Sequence, residues 1–133
     1  MAFYIIRTGI IAMNENSRRI KNDYEFRRAY KRGKNLISST LVTYALRRKS
    51  GGIRTGVTTG KKVGNAVHRN RARRVIREAF RQLEPMTSGN WEIIFVARTR
   101  TAYVKMQTVK RDMLAQLESA GVIKAPQSEQ KAD

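Results

Sequence analysis

Six arginines lie within thirteen residues of one segment, and their spacing determines what they could bind. Residues 61–81 carry eight Lys or Arg side chains against a single acidic residue, Glu78, and no proline. Guanidinium groups bind phosphate oxygens through paired hydrogen bonds, so a row of arginines suits a polyanion. The side chains that share one helical face, at about 100° per residue, are Asn70, Arg74, Arg77 and Arg81, with Arg73 beside them.

The alternative for this face is an ordinary solvated surface. Such surfaces usually mix Glu with Lys, because like charges one helical turn apart repel by a few tenths of a kcal/mol per pair. Here Arg77 has like-charged neighbours in both Arg74 and Arg81, and only Glu78 is available to offset the charge of Arg74. The pattern therefore favours a polyanion site over a solvated face.

A basic helix needs a start and an apolar side to be held in place. Asn65 is the predicted N-cap, and Gly64 permits the turn before it. The predicted buried stripe consists of Ala72, Val75, Ile76, Ala79 and Leu83. One side of this helix is thus expected to pack on a core while the other faces outward.

No catalytic residue is predicted in this chain. The ten acidic residues are scattered, whereas metal-dependent cleavage of phosphodiesters needs clustered carboxylates. The single histidine, His68, falls near the apolar side of the basic helix and is predicted to be a satisfied, partly buried side chain rather than a general base. No nucleophile with a base at a suitable spacing is recognisable.

Composition limits the class of protein. A length of 133 residues suits one domain, and a net charge of +18 is typical of a nucleic-acid binder, although an acidic membrane surface could also attract it. No apolar run reaches the roughly 18 residues of a membrane span, and no convincing export signal is present, which favours the cytoplasm. Without cysteine there is no disulfide framework and no zinc–thiolate site.

The remaining elements follow from periodicity and turn residues. Asn22 and Glu25 have the spacing of a capping box, and Gly33 stands where that first helix should end. The predicted order is a helix over 23–32, two or three strands, the basic helix, a strand over 91–98 and a helix over 102–120. The strands before the basic helix are placed at 40–47 and 53–59, with residues 36–39 as the alternative start of a longer first strand. The fold class is therefore α+β, a single domain with one mostly antiparallel sheet.

Residues 62–78, reading Lys-Val-Gly-Asn-Ala-Val-His-Arg-Asn-Arg-Ala-Arg-Arg-Val-Ile-Arg-Glu, resemble the "RNR" signature of the bacterial ribonuclease P protein subunit. All seventeen positions match, and the preceding Gly60 departs from the Ser that is more usual there. The resemblance covers residues 17–122. It implies a fold similar to the second domain of ribosomal protein S5, with a left-handed crossover between parallel strands against the general rule.

The resemblance also implies a function. The family's protein subunit assists the removal of the 5′ leader from precursor tRNA, and its partners are the catalytic RNA subunit and precursor tRNA, with no membrane and no obligate protein partner. Mg²⁺ is held mainly by the RNA subunit, no organic cofactor is involved, and the protein alone is expected to be inactive.

Two groups of site residues follow from matching positions. The residues expected to bind the RNA subunit are Lys61, Lys62, Arg69, Asn70, Arg71, Arg73, Arg74, Arg77 and Arg81. The residues expected to line a cleft for the leader strand are Phe26, Tyr30, Tyr44 and Arg54. Without the resemblance, the three aromatic side chains would be predicted simply as core packing.

Two alternatives remain open at this stage. The first is a ribosomal or general RNA-binding protein without an enzymatic partner, since composition alone does not separate the two functions. The second concerns residues 1–16, predicted to be an extension outside the fold that reflects an early start or an extra tail, and otherwise an arm that packs on the domain. Residues 123–133 are predicted to be a disordered tail.

Overall fold

The computed structural model describes residues 3–5, 11–13 and 18–124. Two short strands, β1 (Phe3–Ile5) and β2 (Ile11–Met13), pair antiparallel with each other. The elements that follow are α1 (Asp23–Arg32), β3 (Lys34–Ile37), β4 (Leu41–Arg47), β5 (Ile53–Thr58), α2 (Ala66–Leu83), β6 (Trp91–Ala97) and α3 (Met106–Ala120).

The strands β3 to β6 form one sheet in the order β3-β4-β6-β5. β3 pairs antiparallel with β4, and β4 pairs antiparallel with β6, whereas β5 and β6 are parallel neighbours. The chain passes through α2 between the two parallel strands, as a parallel pair requires a crossover. This arrangement confirms the predicted α+β domain with a mostly antiparallel sheet, while the hand of the crossover stays a prediction.

The larger core lies between the sheet and the two helices α2 and α3. The apolar side of α2 is buried as predicted, and Phe80 joins it. Ile76 is fully buried, and burying a side chain of that size contributes about 1.5–3 kcal/mol. β6 is covered on both faces, because α1 packs on one side and α2 on the other. β4 and β5 flank its two edges. This packing fixes which side of α2 faces outward.

The other face of the sheet carries α1. Ala29 of the helix, Ile94 of β6 and Ile20 of the preceding segment form a second, smaller buried cluster. Gly56 of β5 allows this approach, since a Cβ there would come within 2.9 Å of the Phe26 ring. Gly56 is therefore a point of close approach between β5 and α1.

A group of ion pairs joins α1 to the sheet beside that cluster. Glu92 of β6 is 4% exposed and accepts from Nη2 of Arg28 at 2.9 and 2.7 Å and from Nη1 of Arg48 at 3.0 Å. Glu25 of α1 is 5% exposed and pairs with Arg54. Because a buried carboxylate without a partner is costly, these arginines are tied to the fold.

Several predicted details are wrong. The Asn22 side chain makes no capping hydrogen bond, and Oε2 of Glu25, the other half of the expected capping box, pairs with Arg54. α3 begins at Met106 rather than at residue 102, because a short 3-10 turn over Thr99–Tyr103 precedes it.

The limits of the domain also differ from the sequence expectation in part. Ile123 was assigned to the tail, yet it is 2% exposed and forms a β-bridge with Thr87. The rest of the predicted tail beyond residue 124 lies outside the described residues. At the other end, no strand is predicted in residues 1–12, where β1 and part of β2 are found. Most of the predicted 1–16 extension lies outside the described residues. Among the helices of the described ranges, none is long and apolar enough to cross a membrane.

The Glu25–Arg54 pair predicts a specific pH dependence of stability. Burial by itself would raise the pKa of the Glu25 carboxyl, but the hydrogen bond and the charge of Arg54 more than offset this effect and hold the pKa below its ordinary value of 4.5. A lowered pKa stabilises the fold above the unfolded-state pKa and loses that contribution as the pH falls through the folded-state value.

We therefore expect Glu25→Gln to be less stable than wild type at pH 7, with a difference that shrinks below about pH 4.5. The measurement is the free energy of unfolding in urea between pH 7 and pH 3. Glu118→Gln is the matched control, because the Glu118 side chain makes no ion pair in the described ranges. A difference that stays constant with pH would show that the ion pair does not drive it.

Candidate nucleic-acid interface

The basic helix α2 begins at a well-defined cap. Asn65 has extended backbone geometry, and its Oδ1 accepts from the backbone N–H of His68 at 3.1 Å, as the sequence predicted. Gly64 precedes it with φ of +133°, a conformation that favours glycine. The cap and the buried stripe together set the rotation of the helix, so its arginines emerge on the side away from the sheet.

Part of the predicted RNA-facing set has no internal partner. Arg74 is exposed, and in the described part of the chain its guanidinium makes no hydrogen bond or ion pair; the same holds for the side chains of Lys61, Lys62 and Arg69. Arg77 is also exposed. Arg74, Arg69, Lys61 and Lys62 therefore remain available to an anionic partner.

Other members of the set are used within the protein. Arg71 donates from Nε to the carbonyl of Ala102 at 2.8 Å and from Nη2 to that of Val104 at 3.1 Å. Arg73 donates to Oδ1 of Asn70 at 3.0 Å and to Oγ1 of Thr59 at 2.7 Å. The RNR segment thus combines outward-facing cations with arginines that position neighbouring segments.

Arg81 is also occupied within the protein, by a partner on the same helix. Its guanidinium donates to both carboxylate oxygens of Glu78, at 2.9 and 2.6 Å. The hydrogen bonds from Arg81 and from Gln82 lower the pKa of the Glu78 carboxyl to about 2, so the pair stays ionised at neutral pH. The local charge at this end of α2 is correspondingly reduced.

The three predicted cleft aromatics lie together on the opposite face of the sheet. The ring centroids of Phe26 and Tyr30 are 6.4 Å apart, and those of Tyr30 and Tyr44 are 5.0 Å apart with the rings nearly perpendicular. Phe26 and Tyr44 are half-buried against the smaller core cluster, and Tyr30 is 39% exposed. The result is a continuous aromatic row, partly core and partly surface.

Arg54, the fourth predicted cleft residue, is tied to the fold. It pairs with Glu25 and donates from Nη2 to the carbonyl of Arg19 at 3.1 Å. Arg28 and Arg48, which were not among the predicted site residues, meet at Glu92 on the same side of the molecule. The available signal was Glu92 itself, an acidic residue inside an otherwise apolar strand.

The two groups of predicted residues approach each other around the edge strand β5. Phe26 of the aromatic row and Arg77 of the basic face both line one cavity of about 120 Å³. Gly56, Ile76 and Phe80 form other parts of its wall. The basic face and the aromatic row are therefore neighbours rather than remote surfaces.

The described residues do not provide a metal site. Within them, no group of three or more His, Cys, Asp or Glu side chains converges. The buried carboxylates Glu25 and Glu92 are already neutralised by arginines. The arrangement suits binding and positioning of a polyanion.

Comparison with known proteins gives a consistent result. A family model described as Ribonuclease P matches residues 14–121. The ribonuclease P protein component of Listeria welshimeri is 36% identical over 107 residues, which span 80% of this chain and 90% of the relative. That of Thermoanaerobacter sp. is 37% identical over 95 residues, or 71% of this chain and 82% of the relative.

Solved structures agree with the sequence relatives. The RNase P protein of Staphylococcus aureus superimposes with a TM-score of 0.71 at 30% identity, covering 80% of this chain and 98% of that one. The RNase P protein of Thermotoga maritima gives a TM-score of 0.68 at 25% identity, covering 76% and 96%. On this sequence match, this shared fold and the signature on α2, the chain belongs to the ribonuclease P protein family.

Proposed function

We propose that this protein is the subunit of a ribonucleoprotein endonuclease that binds a catalytic RNA subunit and the 5′ leader of precursor tRNA. In that complex it assists the cut that produces the mature 5′ end. The observation that carries the proposal is the pairing of an outward-facing basic helix with a separate aromatic row on one small domain. The proposed location is the cytoplasm, where both RNA partners would be met.

The basic face of α2 is the proposed contact with the RNA subunit. Arg74 and Arg69 on the helix, and Lys61 and Lys62 just before it, have no partner within the described ranges, and each can neutralise a phosphate. Since phosphates of a folded RNA repel one another, a rigid row of guanidinium groups would stabilise their close approach. The helix supplies that rigidity because its other side is buried.

The aromatic row is the proposed contact with the leader. Bases of a single strand stack on aromatic side chains with little dependence on sequence, because every base has a flat apolar face. Tyr30 offers the most exposed ring of the three, while Phe26 and Tyr44 hold it from the core side. Such a row would tolerate the many leader sequences that different precursors carry.

We propose that the RNA subunit, and not the protein, catalyses the hydrolysis. Mg²⁺ would provide the charge stabilisation and the activated water for phosphodiester hydrolysis. The described residues of this chain do not fit a site for that ion, so we propose that the RNA subunit holds it. The protein's own contribution is to bind, to orient the precursor and to offset phosphate repulsion.

The direct test is reconstitution with the cognate RNA subunit and precursor tRNA at low Mg²⁺. We expect no cleavage by the protein alone and faster 5′ processing by the mixture than by the RNA alone, because the protein lowers the repulsion that Mg²⁺ must otherwise screen. Equal rates with and without the protein would contradict the proposal. Lysozyme, a basic protein of another fold, controls for unspecific charge screening.

Replacing Arg74 tests the basic face. We expect Arg74→Ala to weaken binding to the RNA subunit and to flatten the slope of log affinity against log salt by about 0.9, since one phosphate contact is lost. The measurement is a salt titration of binding. Arg111→Ala is the matched control, because that exposed arginine of α3 has the same charge and lies outside the proposed face. Equal slopes in the two variants would remove Arg74 from the interface.

Replacing Tyr30 tests the aromatic row. A stacked base contributes about 1–3 kcal/mol, so Tyr30→Ala should lower the ratio of precursor to mature tRNA affinity by roughly 5- to 150-fold. Affinity for mature tRNA, which has no leader, should hardly change. Tyr24→Ala serves as control, because Tyr24 is a more exposed tyrosine of the same helix, 56% against 39%. A ratio that survives in Tyr30→Ala would exclude Tyr30 from leader binding.

A further inference from the structure

An aromatic pair formed by the exposed Tyr103 and the partly buried His68 lies near the beginning of α2, outside both groups of predicted site residues. Tyr103 ends the 3-10 turn Thr99–Tyr103 and is 64% exposed. Its ring centroid is 5.2 Å from that of His68, with the ring planes inclined by 42°. We call these two rings the His68–Tyr103 platform.

The backbone on both sides of Tyr103 is held by a single guanidinium. Arg71 donates to the carbonyl of Ala102, before the tyrosine, and to that of Val104, after it. The turn itself is anchored by Thr101, whose buried Oγ1 donates to the carbonyl of Thr40 at 2.6 Å. Because the turn is fixed at three points, a ligand that stacks on the exposed tyrosine orders little additional backbone. The conformational entropy lost on binding is therefore small.

The histidine is fixed as well. Its Nδ1 lies 2.8 Å from Oδ1 of Asn65, the same oxygen that caps the helix. Because an amide oxygen only accepts, this contact places a proton on Nδ1. Gly64 leaves room for the ring, since a Cβ there would come within 3.0–3.2 Å of His68 atoms. The Asn65 cap and Gly64 therefore hold the His68 ring in one position.

The surroundings of the platform are cationic. Lys62, Arg100 and Lys105 are exposed, and Oγ1 of Thr99 donates to the carbonyl of Lys62 at 3.2 Å, which brings their two segments together. Neither residues 61–77 nor residues 98–111 include an Asp or Glu. This surface suits a ligand that combines a flat apolar group with negative charge.

We propose that the His68–Tyr103 platform stacks an unpaired base of the RNA subunit, while the surrounding cations bind the adjoining phosphates. This inference rests on the proposed function and adds a base contact to a helix otherwise expected to bind phosphates. The role of Arg71 then differs from that of Arg69 and Arg74, which are proposed to contact phosphates directly. Arg71 is a positioning residue that acts through Tyr103, because two of its donors are occupied by backbone carbonyls.

The first test compares ring removal with ring conservation. Tyr103→Ala should weaken binding of the reconstituted protein to its RNA subunit by roughly 5- to 150-fold, the loss expected for one stacked base, with an unchanged salt slope because no phosphate contact is lost. Tyr103→Phe keeps the ring and should bind like wild type. Tyr24→Ala, an exposed tyrosine elsewhere, is the control for general effects.

Unchanged affinity in Tyr103→Ala, with wild type binding normally, would overturn the platform and leave the proposed function intact. A wild-type protein that does not bind the RNA subunit at all would overturn the proposed function and this inference with it. The thermal midpoint of each variant is measured alongside, and a loss of affinity in a Tyr103→Ala protein with an unchanged midpoint supports stacking.

The second test is a double-mutant cycle between Arg71 and Tyr103. If Arg71 acts by holding the tyrosine, Arg71→Ala should weaken binding in the wild-type background and have little further effect in Tyr103→Ala, with the salt slope preserved. Additive losses together with a flatter salt slope would instead mean that Arg71 contacts a phosphate, and would overturn its positioning role.

Discussion

The packing of α2 against the sheet is the contact on which the other features depend, and it has to outweigh repulsion within that helix. Neighbouring arginines one turn apart cost a few tenths of a kcal/mol per pair. Burial of Val75, Ile76 and Leu83 contributes about 1.5–3 kcal/mol for each fully buried side chain, so the apolar side decides the outcome. A helix that is basic on one side can therefore be stable before any polyanion binds it.

The few acidic residues are placed where they hold arginines that the fold uses. Glu92 and Glu25 bind the guanidinium groups that join α1 to the sheet, and Glu78 binds Arg81 near the end of α2. Arg69 and Arg74 of α2 have no such partner in the described residues. The net charge of +18 is thus distributed unevenly, with internal pairs at some arginines and an open cationic face at others.

This distribution explains how a small domain can present different binding chemistries. The open cations of α2 suit phosphates, the aromatic row beside α1 suits the bases of a flexible strand, and the two meet around β5. Rigid elements carry both surfaces, because α1 and α2 pack on opposite faces of one sheet. Binding of two RNA segments in a fixed relative orientation would follow from that geometry rather than from a moving part.

The sequence by itself determined the fold class, the helix α2 with its cap at Asn65 and its buried stripe, and the membership of a family. These depend on local periodicity, capping and charge spacing, which are written in consecutive residues. It also placed Phe26, Tyr30 and Tyr44 in one group, though only through a resemblance.

Only the tertiary structure decided which arginines are open and which are occupied. Arg71 binds carbonyls about 31 residues away, and Arg28 binds a carboxylate 64 residues away, and no local pattern encodes contacts between segments so distant in the chain. The pairing of Glu25 with Arg54, 29 residues away, is another contact of this kind.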